Sequence, residues 1–318
     1  MPLRYTLSPE MEKFVAKTRT FSVDSPDITV QRAAYSRMCG AFNPARPAGL
    51  TVEDFKLANV PVRSYRPHRL SLEHPTPCVL YLHGGGWVVG DLDSHDFLTA
   101  SLAVDLNVVV IAVDYRLAPE APFPAAFDDC LAVWHALQHH AARLDIDPCR
   151  VAIAGDSAGG NLAAAVCLAL RDAGKSQPVG QALLYPGLGG ADDLPSRSEC
   201  HDAPLLSRDE ILLYQHLYHG GYLRSAEISA SPYASPLKAH DFKGLAPAFI
   251  SVAHFDPLRD DGLVYERALR DAGVATQLHP GAGLIHGCLR GKGQVPEVDE
   301  LYERLVEALL GFIRGPLL

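Results

Sequence analysis

The run NVVVIAVDY at residues 107–115 constrains this chain more than any other stretch. Its unbroken apolar, β-branched side chains suit a strand covered on both faces, because a strand with one wet face would alternate apolar and polar residues. KLANVPVRSY (56–65), CVLYL (78–82), VAIAGD (151–156), QALLY (181–185), AFISVA (248–253) and TQLHP (276–280) also read as strands. Helical patterns fall between most of them, at 125–142, 158–171, 258–272 and 298–313. Strands that alternate with helices pair in parallel through right-handed crossovers. The expected fold class is therefore α/β: a mostly parallel central sheet with helices on both faces.

Two features break the rhythm. Ser8-Pro9-Glu10 reads as an N-cap followed by proline at the first helical position, and a second helical pattern spans 29–39, so two helices precede every strand. From Pro186 to Pro247 no strand pattern occurs, but a helix around 209–219 is opened by the capping box Ser207-Arg-Asp-Glu210. The expected division is 1–50 as N-terminal helices, 51–186 and 246–318 as two parts of the core, and 187–245 as an insertion forming a lid.

The 318 residues, 48% of them hydrophobic, can bury a large core. A net charge of −9 without any lysine or arginine run argues against nucleic acid as a partner. Seven cysteines at 39, 78, 130, 149, 167, 200 and 288, none spaced as CxxC, read as reduced thiols of a cytoplasmic protein. The N-terminus lacks an apolar signal core, and no window approaches the roughly 18 apolar residues needed to span a bilayer. A soluble, unprocessed chain with no membrane partner is expected.

In an α/β sheet, ligands bind beyond the carboxyl ends of the strands. Four motifs sit there: HGGGW (83–87), GDSAGG (155–160), HFDPL (254–258) and GLIHG (283–287). They supply main-chain donors, a hydroxyl, a carboxylate and an imidazole. A serine hydroxyl becomes nucleophilic when a base takes its proton, and the base needs an acceptor to hold its tautomer. Ser157, His286 and Asp256 fit those roles. Gly155 and Gly159 let the turn around Ser157 fold sharply, and the helix that starts there favours negative charge. An oxyanion needs preorganised donors, which we assign to the amides of Gly85, Gly86 and Ala158, with Gly84 as a substitute.

These stretches resemble the hormone-sensitive lipase family of α/β-hydrolases in its bacterial esterase branch, family IV with the GDSAG motif. The resemblance is carried by HGGGWVVGDLDSHD (83–96), DYRLAPEAPFPAAFDD (114–129), GDSAGGNLA (155–163), SPYASPL (231–237), DPLRDDG (256–262) and IHG (285–287), in order from about residue 55 onward. It implies the α/β-hydrolase fold and hydrolysis of short-to-medium acyl esters through an acyl-enzyme. It implies no cofactor and no metal, with a small-molecule ester and water as partners. It also implies a helical cap built by residues 1–50 and about 187–245, and homodimers through an edge strand in relatives. His83–Gly86 maps onto the oxyanion loop, Ser157 onto the nucleophile, Asp256 onto the acid and His286 onto the base. The base is often followed by Gly-Phe; here Cys288 follows Gly287.

Competing readings exist for several residues. GxSxG alone is weak and needs its context. Asp260 and Asp261 compete with Asp256 but are better placed to favour the first turn of the next helix, and Asp156 is expected to anchor the elbow. His254 reads as a core histidine. Tyr214, Tyr218 and Tyr222 either line the mouth of an acyl pocket or pack the insertion onto the core. Arg116 and Glu120 read as structural anchors, and Trp87 as a substrate contact. An amidase, lactonase or thioesterase on the same fold shares the oxyanion chemistry. A non-catalytic receptor is the other class, disfavoured because His286 is present.

Overall fold

The computed structural model describes residues 5–70 and 75–315, except for the side chains of 222–225. Two helices come first, α1 (Pro9–Arg19) and α2 (Ile28–Phe42). Ser8 caps α1 by accepting from the Met11 amide at 3.2 Å, with proline at the first helical position as expected, and Asp27 caps α2. The sheet then begins with β1 (Leu50–Leu57), β2 (Val60–Pro67) and β3 (Thr76–Leu82), followed by α3 (Asp96–Leu106) and β4 (Val109–Val113). After α4 (Ala125–His139) come β5 (Ile146–Asp156), α5 (Ala158–Asp172) and β6 (Gln181–Leu184). The insertion holds α6 (Pro195–Glu199), α7 (Arg208–Tyr218) and α8 (Tyr222–Ser229); β7 (Ala248–Ser251), α9 (Arg259–Asp271), β8 (Thr276–His279) and α10 (Pro296–Arg314) complete the chain. The capping box between Ser207 and Glu210 is present at the start of α7.

The eight strands form one sheet in the order β1-β2-β4-β3-β5-β6-β7-β8. From β4 to β8 every pair is parallel, whereas β2 runs antiparallel to both β1 and β4. The stretch KLANVPVRSY is therefore not one strand. Ala58 and Asn59, at φ 49° and 68°, turn it into a tight hairpin, because positive φ at both central residues matches the twist of the flanking strands. One further helix, α3, supplies the crossover that parallel β3 and β4 require.

Alternation along the strands divides the core. Cys78, Leu80 and Leu82 of β3 join Ile111, Val113 and Ile153 on one face, under α4, α5 and α9. Val79 and Tyr81 join Val110, Ala112, Ala152 and Ala154 on the other, under α1, α2, α3 and α10. No helix among the described residues is long and apolar enough to cross a membrane.

Backbone packs closely at the elbow after β5. A Cβ on Gly159 would lie 2.0 Å from the Leu82 carbonyl oxygen and 2.6 Å from that of His83, and one on Gly155 would lie 2.4 Å from the Gly159 backbone. These two glycines are needed for close approach, not for left-handed backbone. Gly159→Ala should therefore cost about 3 kcal/mol, since backbone of a central strand cannot yield. Gly311→Ala, in α10 with nothing within 4 Å of its Cβ, should instead stabilise by about 0.5–1 kcal/mol. Urea unfolding of both variants checks the opposite signs.

Candidate active site

All parallel strands end on one edge of the sheet, and the four motifs meet there. Ser157 lies between β5 and α5 with φ 53° and ψ −118°, a conformation that costs a non-glycine residue on the order of 1–3 kcal/mol. The elbow is held by Ser157 N–H donating to the Leu184 carbonyl at 2.8 Å, and by Asn161 N–H donating back to the Ser157 carbonyl at 3.1 Å. The serine hydroxyl thus projects beyond the sheet while its backbone stays tied to it.

The acid and base are brought together by strand register. Past the ends of β7 and β8, an isolated parallel bridge pairs Phe255 with Ile285, so the next residues on each chain, Asp256 and His286, come side by side. His286 Nδ1 lies 2.7 Å from Asp256 Oδ2, and His286 Nε2 lies 2.8 Å from Ser157 Oγ. Asp256 is fully buried, and its other oxygen accepts the Leu258 amide at 2.8 Å. A carboxylate, an imidazole and a hydroxyl in this series can move a proton off the hydroxyl while the imidazole keeps one tautomer. The edge of Tyr185 packs on the His286 ring at 5.0 Å between centroids. Cys288, in the position where phenylalanine is frequent, is fully buried in the core, and burial pushes its thiol up to about 12.

The loop after β3 faces the serine. Gly85 and Gly86 adopt φ 124° and 59°, which side chains rarely tolerate. A Cβ on Gly86 would lie 2.6 Å from the Tyr214 ring, and one on Gly85 would lie 2.1 Å from the Val89 carbonyl oxygen. Among the described residues, the amides of Gly85, Gly86 and Ala158 donate to no protein acceptor. The Gly84 amide differs. It donates to Asp156 Oδ1 at 3.0 Å and is thus engaged with the scaffold, unlike the other three.

Asp156 is the link between loop and elbow. Besides Gly84, its carboxylate accepts from the Tyr81 hydroxyl at 2.7 Å and lies 3.3 Å from His95 Nε2, whose Nδ1 meets Ser94 Oγ at 2.9 Å. Burial alone would raise this carboxyl, but the adjacent His95 and the hydrogen bonds from His95 and Tyr81 hold it down at about 2. His83 stacks on Tyr115 at 4.2 Å, donates from Nδ1 to the Gly84 carbonyl at 2.8 Å, and carries the Tyr115 hydroxyl on its own carbonyl at 2.7 Å.

A cavity of about 130 Å³ opens over Ser157, lined by Gly85, Gly86, Trp87, Ala158 and His286. Trp87 stacks on Tyr218 at 4.2 Å and 5°, and its indole N–H has no acceptor among the described residues. Tyr214 lines the cavity, Tyr218 is buried behind Trp87, and the Tyr222 side chain lies outside the described residues. Tyr35 of α2 and Arg290 also stand in the wall, and neither carried a motif in the sequence.

Several competing residues are placed elsewhere. Asp260 and Asp261 do start α9, but their carboxylates also hold the insertion. Asp261 Oδ2 accepts the Leu188 and Gly190 amides and its Oδ1 pairs with Arg197 at 2.6 Å, while Asp260 accepts the Ser196 amide. His254 is not a core histidine: it is exposed, with its ring stacked on Phe255 at 4.5 Å. Arg116 pairs with Asp129, and Glu120 with Arg32 of α2, so both are anchors but not of one another.

A family described as having the alpha/beta hydrolase fold matches residues 79–290. The carboxylic ester hydrolase LipN of Mycobacterium tuberculosis is 39% identical over 319 residues, covering 94% of this chain and 82% of the relative. The carboxylesterase NlhH of the same organism is 42% identical over 253 residues, covering 80% of this chain and 78% of its own. Among solved structures, a bacterial heroin esterase superposes with a TM-score of 0.88 at 33% identity, covering 98% of this chain and 99% of that one.

Burial, with the neighbouring His95, pushes His83 down from 6.5 to about 4. Between these values the unfolded chain binds a proton that the folded one does not, so stability falls as pH drops from about 6.5 toward 4, by on the order of 3 kcal/mol. Urea unfolding near pH 7 and near pH 4.5 should show a smaller acid loss in His83→Gln than in the wild type.

Proposed function

The chain belongs to the alpha/beta hydrolase family, and from that premise we propose which of its residues carry the hydrolysis of small esters and how. It is a serine-type carboxylic-ester hydrolase, and the observation that carries the residue assignment is the unbroken series Ser157 Oγ, His286 Nε2, His286 Nδ1, Asp256 Oδ2 at 2.8 and 2.7 Å. Ser157 attacks the ester carbonyl while His286 Nε2 takes its proton. Asp256 keeps Nδ1 protonated and stabilises the imidazolium. His286 then gives the proton to the departing alkoxide, leaving an acyl-enzyme, and takes one from water for deacylation.

The carbonyl oxygen becomes an anion in each half-reaction. The amides of Gly85, Gly86 and Ala158 receive it, each contributing about 3 kcal/mol to the transition state. Their lack of protein acceptors and the positive φ of both glycines support this assignment. Trp87 bounds the substrate, supported by its place in the cavity wall.

Residues 1–50 and 187–245 act as a cap over this site. Tyr35 from the first segment, and Leu206, Ile211, Tyr214 and His219 from the second, all line the cavity. The cavity is small beside the roughly 300–1,000 Å³ of pockets that enclose drug-sized ligands, which favours short acyl groups. The seven free cysteines, six of them buried, support a cytoplasmic, reducing setting. β8, at the sheet edge with Leu278 exposed, is the surface through which a homodimer would form.

Ser157→Ala should lower hydrolysis of p-nitrophenyl butyrate by at least about 10³-fold, and Asp256→Asn should lower kcat by about 10⁴-fold with little change in KM. Near-normal turnover in Ser157→Ala would show the assignment wrong. Across a series from acetate to palmitate, kcat/KM should peak among the short acyl groups, and a flat profile would count against the cap.

A further inference from the structure

Arg290 is out of keeping with the rest of the cavity. It stands in the wall beside Ser157, His286 and Gly287, and its two Nη atoms lie 3.4 and 3.9 Å from where a Cβ on Gly287 would sit. The side chain is half-buried, yet its Nε is shielded from solvent and has no hydrogen-bond partner among the described residues. Its guanidinium carbon lies over the face of Tyr35, 5.7 Å from the ring centroid.

Two arginines buried more deeply than Arg290 are neutralised on the spot: Arg63 by Asp54 and Asp93, and Arg197 by Asp261. Among the described residues no carboxylate comes within ion-pair distance of Arg290. Asp156 also lines the cavity, but its oxygens are already taken by Tyr81, Gly84 and His95. Guanidinium stays charged at any ordinary pH and presents a planar fork matched to carboxylate. A partly desolvated charge with no carboxylate beside it gains from a partner that arrives, and this one stands in the wall of the space that the substrate enters.

We propose that Arg290 binds a carboxylate carried by the substrate, so that the preferred esters of this site are anionic: half-esters of dicarboxylic acids, or acyl esters of hydroxy acids. The inference rests on the cavity being the ester-hydrolysis site. Arg290 is then a specificity residue, pairing with a group remote from the scissile bond while Ser157 and His286 do the chemistry. A single charge-assisted pair of this kind discriminates by about 10-fold or more.

Two matched substrate pairs, followed by pH-stat titration, separate the two sides of the ester. Monoethyl glutarate against ethyl pentanoate places the charge on the acyl side. 3-Acetoxypropanoate against 3-methylbutyl acetate places it on the alcohol side. In the wild type the ratio of anionic to neutral kcat/KM should exceed that of Arg290→Met by about 10-fold or more on one arm. The difference should lie mainly in KM, should shrink with added salt, and should be partly restored in Arg290→Lys. Ratios equal to within about twofold on both arms would overturn the proposal. Should the methionine variant not fold, wild-type inhibition by free glutarate decides: competition with ethyl pentanoate that weakens with salt supports it, and no competition at about 100 mM, far above a millimolar-scale site, overturns it. Absence of hydrolysis of either neutral ester by the wild type would instead undo the reading of the cavity as an esterase site.

Discussion

One buried carboxylate, Asp156, holds the two halves of the catalytic apparatus in register. It ends β5, directly before the serine, and its oxygens take the Gly84 amide and the Tyr81 hydroxyl from β3 and the loop that follows. The elbow and the glycine loop after β3 are therefore tied across neighbouring strands by one residue's hydrogen bonds. Because the anion is buried, each of those bonds is charge-assisted and each donor is fixed in direction. The Gly84 amide is committed to the tether, and the chain bends at Gly85 and Gly86, which take positive φ and line the cavity over Ser157.

The other side of the cavity depends on segments that lie far away in sequence. Arg32 of α2 donates to the Val88 and Ala118 carbonyls and forks onto Glu120. The first helices are thereby fastened to the loops after β3 and β4. Leu206 and Ile211 of the insertion pack against Leu258, two residues beyond Asp256. The walls thus rest on the same loops that carry the reactive groups, and the cavity's shape follows the geometry of the catalytic loops.

Much of this was legible in the chain itself. The apolar runs announced parallel strands because burial on both faces leaves no alternation, and motifs at strand ends located hydroxyl, acid and base. The hairpin at Ala58-Asn59 was not legible, since its turn lacks the glycine that positive φ usually selects. His254 misled because a histidine after a strand gives no sign of whether it faces inward. Arg290 was invisible for a different reason: an arginine in a loop has no periodicity, and only the folded arrangement reveals that nothing neutralises it. Gly84 shows the finer limit, because which amide of a glycine run is free depends on a side chain 72 residues away.

The distribution of thiols has a practical side. Six of the seven cysteines are sealed inside, and Cys149 alone is exposed, near the start of β5. From there to the elbow the chain runs the length of that strand, roughly 25 Å at about 3.3 Å per residue. The protein therefore carries a native attachment point near the opposite end of β5 from its cavity. A maleimide dye or a solid support attached there would sit about a strand's length from the reactive serine.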